Sequence, residues 1–82
     1  MTTKDKIRSW LERAKQENAT HMLVVCDTFD YEDYPVFVSE SENVREVESK
    51  FDGTNMQRVM EVYSLNMDIE KQLSEYRAFH YD

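Results

Sequence analysis

A chain of 82 residues with 17 acids against 10 bases, one cysteine, one glycine and one proline has room for a single domain, residues 1–82, with one modest core. Its net charge of −7 argues against a direct nucleic-acid or anionic-membrane footprint, and the lone Cys26 excludes an internal disulfide, as befits a reducing cytoplasm. No apolar run approaches the roughly 18 residues of a membrane span and no charged-then-apolar leader is visible, so neither a span nor a secretory signal is expected.

Ile7, Trp10, Leu11 and Ala14 fall at i, i+3, i+4 and i+7, one stripe of an amphipathic helix from Thr2 to about Asn18. Thr2 with Asp5 resembles a capping box, Asn18 suits a left-handed helix end, and Trp10 is the expected core anchor. Two apolar runs follow, His21–Cys26 and Pro35–Val38, rich in β-branched and aromatic residues. They predict an antiparallel β-hairpin around which the other elements are arranged. No glycine lies between Asp27 and Tyr34, so a loop wider than a two-residue primed turn is expected, stiffened by Pro35.

Ser39 or Ser41 is the expected cap of a second helix, with Val44, Val47 and Phe51 on its apolar edge and Glu42, Glu46, Glu48 and Asp52 outward. Gly53 stands where a residue of positive φ ends such a helix. Thr54 to Gln57 reads as another capping box, opening a C-terminal helical segment. Its apolar residues form two stripes, Met56, Val59, Met60, Tyr63 and Val62, Leu65, Ile69, Leu73, Tyr76, His80, with a break near Ser64 to Asn66 or one straight helix as alternatives. The aromatic tail Phe79 to Tyr81 is expected to pack on another element or subunit. The sequence therefore predicts an α+β domain, α-β-β-α-α(-α), a hairpin covered by helices. A small core without disulfides suggests a homodimer, in which two hairpins would form a four-stranded sheet.

Charge is segregated. Residues 27–52 hold nine acids and two bases, a balance of −7, so the other 56 residues sum to zero. A one-sided acidic surface attracts basic protein surfaces at long range, although acids also serve solubility alone. The loop sets Phe29, Tyr31 and Tyr34 among its carboxylates, and tyrosines give rigid contact area with a polar tip. The expected partner-binding residues are Asp27, Asp30, Tyr31, Glu32, Asp33, Tyr34, Glu42, Glu46 and Glu48, contacting a basic protein rather than nucleic acid or membrane. No catalytic residue, metal ligand or cofactor is expected: the loop lacks calcium-loop spacing, Cys26 has no base beside it, His21 and His80 are far apart, and one glycine cannot build a phosphate cradle. Two alternatives stay open. A homodimer with Arg8, Arg13, Arg58 and Arg77 near its seam would sequester a nucleotide-like ligand, or the hairpin loop would hold a metal ion through its carboxylates.

At Thr20–Val36 and again at Asn55–Tyr63 the chain resembles small uncharacterised accessory proteins of tailed phages and prophages. The resemblance implies a bacterial host cytoplasm and a non-enzymatic role in countering host defence. Small acidic phage proteins of that kind, anti-CRISPR proteins among them, often act as nucleic-acid mimics on a host complex.

Overall fold

The computed structural model describes residues 2–82 and shows a small α+β domain of element order α-β-β-α-β-α. Helix α1 spans Lys4–Gln16, β1 His21–Asp27, β2 Glu32–Val38, α2 Val44–Phe51, β3 Gln57–Ser64 and α3 Ile69–Leu73. The strands form one antiparallel sheet in the order β2-β1-β3, with His21 opposite Val38 on one side and Ser64 on the other. β1 is thus central. Its first five residues, His21 to Val25, are all buried because helices cover both faces of the sheet.

Alternation along β1 divides the core. Met22 and Val24 point to the α1 layer, where they pack with Ile7, Trp10, Leu11, Ala14, Tyr63, Leu73 and Ala78. Leu23 and Val25 point to the α2 layer, with Val38, Val44, Val47, Val59 and Val62. The predicted stripe of α1 is the buried one, and Trp10 is 7% exposed in that core. The helix is capped by Thr3, one residue later than the sequence suggests, and Asn18 follows it at φ 59°. Helix α2 is capped by Asn43, whose side chain accepts from the N–H groups of Arg45 and Glu46. Ser39 instead donates to the Glu42 carboxylate from both its N–H and its hydroxyl, each at 3.0 Å, closing the turn before the helix.

The helix expected from Thr54 is absent. Gly53 (φ 77°) leads into a tight turn in which Asn55 and Met56 both have positive φ, and β3 follows. Its apolar spacing looked helical because the strand is bulged. Val24 pairs with Glu61 while Val25 pairs with Val59, so Met60 is the extra residue. The bulge puts Val59 and Val62, three apart, on the same face, a separation that a regular strand forbids and a helix favours. Beyond it, α3 has only five residues, capped by Asp68 rather than Asn66. The tail packs on β3: the Val62 N–H donates to the Ala78 carbonyl at 2.9 Å and the His80 N–H to the Val62 carbonyl at 3.0 Å. The hairpin thus receives its third strand from its own chain, and β2 is the open edge, interrupted by Pro35.

Candidate acidic docking surface

The hairpin loop has four residues, Thr28 to Tyr31, and closes with Tyr31 at φ 60°. Both strands reach further than expected, so Pro35 lies inside β2 and not in the loop. Asp27 and Asp30 shape the loop: Asp27 Oδ1 accepts from the Phe29 N–H at 2.8 Å and Asp30 Oδ1 from the Glu32 N–H at 3.1 Å. Because β3 starts opposite the end of β1, the turn at Thr54 to Gln57 lies beside this loop. Thr28 joins them by donating its N–H and its hydroxyl to the Met56 carbonyl.

Three large apolar side chains stand out at this end, Phe29 (76% exposed), Tyr31 (78%) and Met56 (58%). Non-glycine residues in left-handed backbone carry a cost of about 1 kcal/mol each, and Tyr31 and Met56 both carry it. Strain of this kind with exposed apolar area collects at functional surfaces. In the sequence Met56 falls on an apparent helical stripe, which hides it as a contact residue. The signal that finds it is the Gly53-Thr-Asn55 run, which is turn-forming chemistry.

The carboxylates divide between the two faces. Glu32 shares the α2 face with Tyr34, Val36 and Val38 by strand alternation, while Glu42, Glu46, Glu48 and Asp52 lie on α2 or at its ends. Asp27 and Asp30 occupy the tip. Asp33 departs from the expected set, because it faces the α1 layer and accepts from the Thr2 hydroxyl at 2.7 Å. Tyr34 departs as well: it is half-buried against the α2-side core, its hydroxyl accepts from the Gln57 side-chain amide, and burial raises its pKa. Glu48 accepts from the Tyr81 hydroxyl at 2.5 Å, with Arg45 stacked 3.9 Å from that ring, and Asp52 accepts from the Val59 N–H at 3.1 Å. Burial and then Glu48 push the Tyr81 pKa up to about 12.

None of the nine acids between Asp27 and Asp52 forms an ion pair among the described residues. The pairs that do form are Lys4 with Glu61, Arg8 with Asp5 and Glu70, and His80 with Glu75. Glu70 binds the Arg8 guanidinium through both oxygens at 2.9 and 2.8 Å, which holds the Glu70 carboxyl below its usual range. Arg13 lies over Phe37 and Arg77 over Phe79. No group of three or more His, Cys, Asp or Glu side chains able to hold a metal ion occurs among the described residues. Among the described residues no helix is long and apolar enough to cross a membrane. Compared with protein-family models, curated proteins and solved structures, the chain matches none.

Proposed function

We propose that this is a non-enzymatic binding protein whose hairpin tip and α2 side dock on a basic protein surface, carboxylates standing where phosphates would bind. Nine carboxylates without an ion pair among the described residues, confined to one stretch of a chain that pairs four of its other eight acids, carry the proposal. Uncompensated charge of one sign raises encounter rates with the opposite sign, and the rigid apolar tip offers Phe29, Tyr31 and Met56 as the anchors such a contact needs. The partner-facing set becomes Asp27, Phe29, Asp30, Tyr31, Glu32, Glu46 and Met56. An accessory role against host defence in a bacterial cytoplasm fits the resemblance to small phage proteins. Homodimerisation would pair two β2 edges, giving six strands rather than four, and sedimentation reads it directly.

Capture from a bacterial lysate on immobilised wild-type chain and on the Asp30→Asn, Glu32→Gln, Glu46→Gln variant tests the docking. A basic nucleic-acid-binding protein retained by the wild type alone and displaced by DNA or RNA supports it. Equal retention by both, or retention that nucleic acid does not disturb, refutes it.

A further inference from the structure

The α1 layer carries a second feature, independent of the acidic surface. Helix α1 begins at Lys4 and so leaves the end of its sheet face uncovered. A cleft of about 430 Å³ lies there, with Ile7, Val24 and Met60 as its floor and Tyr76 at its mouth. That is roughly three times the volume of an apolar cavity that takes up benzene, and it falls among small-molecule sites.

An apolar hollow of this size ordinarily closes, because its walls move in to regain lost contacts. Two residues at the start of α1 brace this one open. The Thr2 hydroxyl donates to Asp33 Oδ2 at 2.7 Å, which ties the helix start to β2. Lys4 Nζ donates to the Glu75 carbonyl at 3.1 Å and lies 3.7 Å from Glu61 Oε2, which ties it to the segment after α3 and to β3. On that far side Glu61 also accepts from the Ala78 N–H at 3.0 Å, and Glu75 is paired with His80. The cleft is thus tethered on both edges and formed in advance of any ligand.

The same bonds decide the charge of what fits. Asp33, Glu61 and Glu75 each have a partner within the chain, Lys4 has Glu61, and Arg77 donates to the Met60 sulfur at 3.7 Å and lies over the Phe79 ring. A charged ligand would displace one of these contacts or stay unpaired, so charge of either sign gains it nothing. What the cleft leaves unmet is apolar surface. Met60, the extra residue of the β3 bulge, brings a thioether to the floor, and the Tyr76 ring at the mouth is 94% exposed. A thioether sulfur and a tyrosine face are both favourable neighbours for a flat aromatic ring.

We infer that this cleft binds a small neutral aromatic molecule of two fused rings. The rings lie on Ile7, Val24 and Met60, and Tyr76 covers their outer side.

Indole is the probe, and tryptamine and indole-3-acetate carry the same rings with a positive or a negative charge. Methyl signals in NMR titration are the readout. The inference requires saturable shifts with indole at Ile7, Val24 and Met60 and none at Leu23 and Val59, which belong to the other face of the sheet. Tryptamine and indole-3-acetate bind no more tightly than indole, and 2-naphthol binds more tightly than its saturated counterpart decahydro-2-naphthol. Tyr76→Ala, at a position too exposed to affect folding, raises the Kd for indole about two- to tenfold, the loss of one aromatic pair. No saturation with indole, shifts spread over both faces, a tenfold gain from charge of either sign, decahydro-2-naphthol binding as tightly as 2-naphthol, or equal affinity in the Tyr76→Ala and wild-type proteins overturns it.

Discussion

Thr28 and Met56 join the two strained turns at the tip: the Thr28 N–H and hydroxyl both donate to the Met56 carbonyl, each at 2.7 Å. One residue of the hairpin loop thereby fixes a turn that belongs to β3, and the three exposed apolar side chains are held in one place. Thr28→Val keeps the strand-compatible shape and one of the two bonds. It should cost about 1 kcal/mol in urea unfolding and broaden the amide signals of Asn55 and Met56.

Met56 at φ 61° sits in backbone that asparagine tolerates better. Met56→Asn is expected to raise stability by up to about 1 kcal/mol while weakening partner capture, since an exposed anchor is removed. A variant that gains stability and captures equally well would take Met56 out of the docking surface.

Tyr63→Phe removes the hydroxyl that has no partner and leaves the ring in its core. Stability should hold or rise by about 1 kcal/mol, in contrast to Leu23→Ala in the central strand, where a fully buried side chain is truncated and about 3 kcal/mol is lost. Thermal and urea unfolding measure both.

Acid affects the turn before α2. Donation from the Ser39 N–H and hydroxyl holds the Glu42 carboxyl below its ordinary 4.5. A carboxyl whose folded pKa is lowered contributes stability above its unfolded pKa and loses it as pH falls through the folded one. The Ser39–Glu42 turn should therefore stay closed at pH 5 and open below the ordinary carboxylate range. In Ser39→Ala the Glu42 carbon resonance should titrate closer to the ordinary value, because the hydroxyl donor is gone.

Cys26 is opposite Asp33 at the end of β1, and burial, then Asp33, raise its pKa. Alkylation at pH 8 should be slower than for a free thiol and should accelerate in Asp33→Asn.

Much of this architecture was legible in the residues. The stripe of α1, the hairpin, Asn18 and Gly53 as left-handed helix ends, and the packing of the tail all follow from local chemistry that tertiary contacts reinforce. β3 was not legible, because the Met60 bulge replaces a period of two with spacings of three and four, and Thr54 looks like a helix cap although its carbonyl closes a tight turn. The acidic surface was legible as composition, but not which acids share it. Asp33 lies on the opposite face from Glu32 because neighbours in a strand point apart, and Tyr34 is committed to the core. The burial of Glu61 was not legible either, since a single acid in an apparent helix carries no sign that a bulge will bury it.

Unpaired carboxylates at the tip should govern how fast this protein meets its partner. The most direct measurement is the association rate with the captured basic protein as ionic strength rises from about 50 to 300 mM, over which the screening length shortens from about 14 to about 6 Å. A steep fall is expected for the wild type, and a slower, nearly salt-independent rate for the variant neutralised at Asp30, Glu32 and Glu46. The same rate and the same salt slope in both proteins would contradict it.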